Sequence, residues 1–408
     1  MTSDSDRATA NGTSTRGRIL FLGFAALFCL SGLVYSLTLG EVLRYPDERD
    51  YLSLARHLGD LDGYSFDGVT PTAHRPPGYP IVLAPVVAVL DSIHAVRLVQ
   101  FAALALAAHL LAGLLVAGRQ LPRWHRSSLM LAMTFAYPVL YYTAGTLFPQ
   151  IVIALALTVS LVLLRRRDAS LALAASIGAL AAFTAEISPT TLVLVPVALG
   201  FALWDRRWGL SRVLVMGLCA TLVFGGWFAR NVIVLDEPIL FSKNLAENLD
   251  NAVLNLEPLA PGEEREPAGA IDYALERIGQ YVDSPGVYAE RVVDFFAYRN
   301  EMNVTEESSR ARDLVMFATY HALLLAALLR VLLAGRLPLS PAERLVFALY
   351  LGTALFHALV IPRIRYRIPF DFLLLLPAAN AVLFSLLAAH RHYIARRHVR
   401  NAAGTARR

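Results

Sequence analysis

Long apolar runs separated by short polar breaks fill most of this chain. A helix needs ~20 residues to cross the hydrocarbon core of a bilayer. Apolar runs of about that order occupy residues 18–40, 94–117, 128–146, 148–164, 170–186, 188–204, 211–234, 313–334, 342–361 and 368–389. The pattern predicts an all-α polytopic membrane protein with about ten transmembrane helices. A shorter apolar piece, 79–90, suits a surface or re-entrant helix better than a crossing. Two pairs of runs read as tight hairpins, broken at Phe148-Pro149 and Ser188-Pro189. The first run is too long for a signal-peptide core and lacks a small-x-small cleavage site, so it is expected to stay as an uncleaved span.

Composition supports this and narrows it. With 56% hydrophobic and 17% charged residues in 408, little chain remains outside the runs, which excludes a large soluble catalytic domain. Cys29 and Cys219 both lie inside apolar runs and read as packing residues. The net charge is +5, and of the 37 basic residues only Lys243 is lysine. Where those charges fall matters more than their sum, because short cytoplasmic loops collect basic residues. With the N-terminus inside, the inner segments carry Arg119, Arg123 and Arg126; Arg165, Arg166 and Arg167; Arg206, Arg207 and Arg212; and Arg330, Arg336 and Arg344. The tail with Arg391, Arg396, Arg397 and Arg400 also falls inside. The surplus therefore marks topology, not a nucleic-acid partner. This gives a cytoplasmic N-terminal tail (1–17), a transmembrane domain (18–389) and a basic cytoplasmic tail (390–408), with 41–93 and 235–312 as long outer loops. The first outer loop should be helical after Pro46; the second should hold helices near 270–282 and 287–298, four asparagines (Asn244, Asn248, Asn251, Asn255) and an acidic Glu263-Glu264-Arg265-Glu266 turn. Loops of this length between membrane helices usually have a function. No internal repeat is evident, which weakens a secondary-transporter reading.

Four outer constellations can carry chemistry. In Tyr45-Pro46-Asp47-Glu48-Arg49-Asp50-Tyr51, a spacing of three puts Asp47 and Asp50 on one helix face. They read either as a helix cap or as carboxylates at the membrane boundary, with Asp47 a general base, Glu48 its aid, or a divalent cation bridging the pair. The proline-rich Thr70-to-Pro80 stretch forms a stiff turn that would hold Arg75 and Tyr79 at the mouth of an outer cavity. Arg230, at the outer end of the seventh run, and Lys243 beyond it read as an interfacial anchor or as part of a phosphate or sugar pocket. Arg363, Arg365 and Arg367 sit in a very short outward loop, against the positive-inside trend, and read as headgroup contacts or as a lipid-phosphate site. Weaker candidates are Glu186, at the end of the fifth run and facing either a cavity or solvent, His321 and Tyr320, and the glycan-acceptor pattern Asn303-Val304-Thr305. Phosphate-binding glycine loops, HExxH, Cys/His metal spacing and a nucleophile elbow are all missing from the sequence.

The order Asp47-Glu48, Arg75-Pro76-Pro77-Gly78-Tyr79-Pro80, Trp227-x-x-Arg230-Asn231 and Arg365-Tyr366-Arg367-Ile368-Pro369 resembles the GT-C superfamily of membrane glycosyltransferases. Within it the likeness is to the protein O-mannosyltransferase and lipid A aminoarabinose transferase branch, over about residues 18–389. The resemblance implies a GT-C-like fold, a sugar donor linked to polyprenyl phosphate, an outward-facing protein, lipid or polysaccharide acceptor, and inversion at the anomeric carbon. It implies Asp47 as the base with Glu48 as its partner, and Arg365 and Arg367 on the donor phosphate; the reading of the residues themselves adds Arg230, Lys243 and Arg363 to that phosphate site. Asp50, Tyr51, Arg75, Tyr79 and Glu186 would line the acceptor side. No metal is required if arginines neutralise the leaving phosphate, although a divalent cation stays open. Such an enzyme would sit in a bacterial plasma membrane with its active site outside and both termini in the cytoplasm. The alternative from another class is a carrier or flippase for a polyprenyl-linked glycan. A third is a non-catalytic assembly subunit, for which Asp47 would be dispensable.

Overall fold

The structure is a computed structural model that describes residues 4–405 except 118, 120, 167, 206, 255–268, 299–308 and 361–362. Asn255, the Glu263-Glu264-Arg265-Glu266 turn, Asn303-Val304-Thr305, Arg167, Arg206 and Pro362 lie outside the described residues. The described residues form α1 (Asp4–Leu39), α2 (Pro46–Gly59), α3 (Gly78–Leu90), α4 (Ile93–Ala112), α5 (Arg123–Phe135), α6 (Pro138–Ala144), α7 (Gln150–Leu164) and α8 (Leu171–Ile187). There follow α9 (Leu194–Trp204), α10 (Gly209–Leu235), α11 (Lys243–Leu254), α12 (Ala270–Asp283), α13 (Pro285–Asp294), α14 (Arg310–Leu332), α15 (Pro341–Leu359) and α16 (Ile364–Thr405). Among the described residues the only β pairing is an isolated bridge between Ser65 and Pro71.

Each of the ten apolar runs folds as helix, but among the described residues six stretches are long and apolar enough to cross a membrane: Thr15–Leu39, Ile93–Ala112, Gly209–Leu235, Arg310–Gly335, Pro341–Leu359 and Ile364–His390. Proline interrupts or borders the other four, because it removes a backbone donor and biases the residue before it away from helix. Pro138 separates α5 from α6, Pro149 delays α7 to Gln150, and Pro189 opens a 3-10 turn ahead of α9. Helix length by itself therefore supports six crossings where the runs predict ten.

The outer surface is what lipid requires. On α10, Leu210, Leu214, Leu218 and Leu222 recur every four residues and are each 59–68% exposed. Such a stripe belongs against acyl chains rather than water. Inside, α4 packs against α1, α5 and α7, and α8 packs along α10. Small residues allow the second contact: a Cβ added at Gly178 would lie 2.0 Å from the Met216 carbonyl oxygen, so only glycine fits that approach.

Charge at one end of the bundle is closed off. Arg330 and Glu343 are fully buried and paired at 2.6 Å. Arg330 also donates to the Leu337 and Pro338 carbonyls, while Glu343 accepts from the Ser340 backbone and from Asn380. Asn380 in turn accepts from the Val116 and Ala117 backbones. These contacts tie together the α4–α5, α14–α15 and α16 segments that the charge pattern assigns to the inner side.

Candidate active site

The opposite end gathers the five connections that a ten-span chain would place outside. One cleft is lined by Asp47, Tyr51, Arg75 and Pro76 from the first connection and by Phe148, Pro149 and Gln150 from the third. Ile187 to Thr190 come from the fifth, Ser242, Asn244, Leu245 and Asn248 from the seventh, and Val360, Arg365 and Tyr366 from the ninth. Residues hundreds of positions apart thus meet at one point of the bundle.

Local sequence explains how Asp47 reaches the cleft. Arg97, buried on α4, donates to the carbonyls of Ser36, Gly40 and Val42 and so fixes the turn that leaves α1. Tyr45 is extended (φ −117°) and Pro46 begins α2, the position where a missing N–H costs least. Glu48, at the third helical position, accepts from the Arg44 and Tyr45 backbones at 2.7 and 3.0 Å. Its other oxygen accepts from the Leu147 backbone at 2.8 Å, and the residue is 1% exposed. Glu48, not Asp47, therefore does the capping, and it also fastens α2 to the turn before α7.

Asp47 is left free for the cleft, where two arginines hold it. Arg75 Nη2 donates to Asp47 Oδ1 at 2.7 Å, and Arg365 Nη1 donates to Asp47 Oδ2 at 2.7 Å. Arg75 binds Asp50 Oδ2 as well, through Nε at 2.9 Å and Nη2 at 2.7 Å, so the two aspartates do share a face. Burial alone would push the Asp47 carboxyl up; the facing Arg365 and Arg75 guanidiniums outweigh it and hold the group below its usual range. Asp47 is therefore an ionised acceptor at neutral pH. Beneath it, Tyr51 is buried with its phenol pushed up by desolvation, and the Arg75 guanidinium lies 5.7 Å over its ring. Arg365 sits over Tyr366 and Phe148, and its Nη2 donates to the Tyr366 hydroxyl.

The loop that carries Arg75 is pinned from behind. Arg230 donates to the Thr72 and Tyr64 carbonyls and to Asn231, and its guanidinium lies over the Trp227 ring. Tyr64, buried and with its phenol pushed well up by desolvation, donates to the Arg75 and Pro76 carbonyls. The Lys243 and Asn244 backbones donate to Ala73 and His74, which joins the two outer loops beside the cleft.

Several sequence-selected residues lie elsewhere. Arg367 is 1% exposed and turned away from the cleft, with Nε on Asp371 at 3.1 Å and Nη1 on the Phe295 and Ala297 carbonyls. The physical reason is that α16 starts at Ile364, where the sequence suggested a loop: at 3.6 residues per turn, positions 365 and 367 point about 200° apart. Lys243 pairs with Glu237 at 2.7 Å, away from Asp47. Arg363 is partly exposed just ahead of α16 and does not line the cleft. Tyr79, expected at the mouth, is fully buried and donates to Gln100 Oε1. Glu186 is 3% exposed, does not line the cleft, and neither carboxyl oxygen has a hydrogen-bond partner.

Sequence reasoning missed a buried polar knot below Arg367: Asp371 accepts from Tyr137, Tyr350 and Arg367. A lone carboxylate in an apolar run, four residues after an arginine, is the signal that points to it. Gln150, at the break between the third and fourth runs, lines the cleft with a buried, unpartnered side-chain oxygen. Among the described residues, no group of three or more His, Cys, Asp and Glu could hold a metal ion.

Two solved structures of ArnT from Cupriavidus metallidurans are similar to this chain. The one bound to undecaprenyl phosphate is 14% identical with a TM-score of 0.42, covering 89% of this chain and 77% of that one. The apo structure is 16% identical with a TM-score of 0.39, covering 91% and 78%. No protein-family model matches the sequence, and no curated protein does.

Proposed function

We propose that this membrane protein is a GT-C-type glycosyltransferase that moves a sugar from a polyprenyl-phosphate donor to an outward-facing hydroxyl acceptor, with inversion. One observation carries the reading: five connections of the helical bundle converge on an ionised carboxylate, Asp47, held between Arg75 and Arg365 in an open cleft. An acceptor hydroxyl needs a hydrogen-bond acceptor that can take its proton, and a departing lipid phosphate needs a cation. In the step proposed, the acceptor oxygen bonds to the anomeric carbon and its proton passes to Asp47. The bond from that carbon to the phosphate oxygen breaks, and polyprenyl phosphate leaves with the electron pair toward Arg365. Because attack and departure lie on opposite sides of the carbon, its configuration inverts. Arg75 and Asp50 keep Asp47 in place, and Glu48 holds the helix that presents it.

Arginine supplies the neutralising charge, so turnover should survive a chelator. The uncharged polar part of the cleft wall, with Gln150, Ser188, Thr190, Ser242, Asn244 and Asn248, supplies donors and acceptors for sugar hydroxyls. The one-sided cleft favours the enzyme reading over a flippase. A flippase needs a cationic path reachable from both leaflets, whereas Arg75 and Arg365 serve one end and Arg330 at the other is sealed onto Glu343.

The experiment is reconstitution in vesicles with radiolabelled polyprenyl-phosphate sugars and candidate acceptors, following both label transfer and release of free polyprenyl phosphate. Release coupled to label on the acceptor is expected. Movement of intact donor between leaflets without release would establish the carrier reading instead.

A further inference from the structure

Two arginines touch Asp47, and they are held very differently. Arg75 makes three hydrogen bonds to two carboxylates, stands over Tyr51, and rides on a loop stapled by Arg230 and Tyr64. Arg365 makes one bond to Asp47 and one to a phenol, and its Nε is buried with no hydrogen-bond partner. Of the described residues lining the cleft, these two alone are cationic. The other outer cations singled out in the sequence are engaged or off the lining: Arg230 on backbone carbonyls, Lys243 on Glu237, Arg367 on Asp371, and Arg363 ahead of the helix.

Charge sets the consequence. Asp47, Asp50, Arg75 and Arg365 sum to zero, so a donor phosphate would make the cluster net negative. Arg365 Nε is buried, which leaves Nη1 and Nη2 for the phosphate to approach, and those are the atoms already committed to Asp47 and Tyr366. A phosphate takes a guanidinium best through two parallel bonds. Each of these nitrogens spends only one of its two N–H groups there, but a phosphate on that edge would press its charge against the Asp47 carboxylate, so the two anions compete for Arg365.

Resting on the donor reading above, we propose that the donor phosphate and Asp47 compete for Arg365, so that docking of the donor strips one of two cations from the base and raises its basicity only when a sugar is in place. Arg75 is the fixed positioning residue and Arg365 the exchangeable one. Such an exchange times the chemistry: with no donor bound, Asp47 is doubly paired and a poor base, and when the donor arrives the same arginine moves onto the future leaving group.

The test is a binding experiment that needs no turnover. The full-length protein in lipid nanodiscs is titrated with undecaprenyl phosphate at neutral pH, comparing wild type with Asp47→Asn, Asp47→Glu, Asp50→Asn, Arg365→Gln and the Asp47→Asn/Arg365→Gln pair. Freeing Arg365 should make Asp47→Asn bind about tenfold tighter than wild type. Asp50→Asn removes the same charge without freeing Arg365 and should change affinity by no more than about twofold. Asp47→Glu, which keeps the charge, should stay near wild type, and in the Arg365→Gln background the Asp47→Asn gain should vanish. Equal tightening in Asp47→Asn and Asp50→Asn, or a gain that persists without Arg365, would overturn the exchange while leaving the donor reading intact. Failure of every variant to bind would overturn the donor reading and the exchange with it.

Discussion

The two ends of the bundle each hold arginine against carboxylate, yet they do opposite things. At the inner end, Arg330, Glu343 and Asn380 are fully buried, and every charged oxygen finds a donor from backbone, arginine or amide. At the outer end, the Asp47 and Arg365 side chains stay 20% and 29% exposed in a cleft, and Arg365 spends only one N–H of each Nη, on Asp47 and on Tyr366. A closed network can only hold helices together. An open one, with hydrogen-bonding capacity unspent, can bind something.

That contrast can be broken from either side. Removing Arg330 strands a buried carboxylate, so Arg330→Ala should cost about 3–5 kcal/mol of stability. Chemical unfolding in detergent reads this, and a loss under about 1 kcal/mol would deny the network its structural role. The same contrast recurs between neighbours at the outer end. Glu48→Ala leaves three backbone donors without their acceptor and should destabilise by about 2 kcal/mol. Once folded, that variant should keep more turnover than a change at Asp47; equal loss in both would merge the capping and chemical roles. Arg75→Lys keeps the charge but not the fork onto Asp47 and Asp50, and should lower kcat about tenfold with little change in melting temperature. An unchanged kcat would show that the fork does not position Asp47.

The smallest expected effect is in pH. Asp47 is depressed in the fold, so its ion pairs stabilise the protein fully above the unfolded carboxylate value of ~3.9 and lose that contribution as pH falls through the folded value. In the free enzyme the acid limb of kcat/KM should therefore lie below the usual carboxylate range. If donor docking draws Arg365 away, the acid limb of kcat should lie higher than that of kcat/KM. Coincident limbs would mean that Asp47 keeps both arginines through turnover.

Much of this was legible in the sequence. Apolar runs located the helices, and of the three arginines that break the positive-inside trend one, Arg365, meets Asp47 beside Arg75. Proline-cut runs misled on length, since a run of apolar residues does not say where a helix starts. Side-chain direction was the larger gap. Asp47 and Glu48, like Arg365 and Arg367, look equivalent in a motif, but helical rotation sends one of each pair to the cleft and the other into the scaffold. Tyr79 and Arg230 likewise were placed at the correct end but serve packing and backbone support there. Asp371 stayed unread because its partners Tyr137 and Tyr350 come from distant helices.

The most direct test is turnover of folded Asp47→Asn in vesicles, normalised to protein that melts at the wild-type temperature and supplied with saturating donor and acceptor. A general base at Asp47 predicts a loss of about 10²–10⁴-fold, the range for removing such a group. Turnover within about twofold of wild type, which removal of a general base cannot leave, would contradict it.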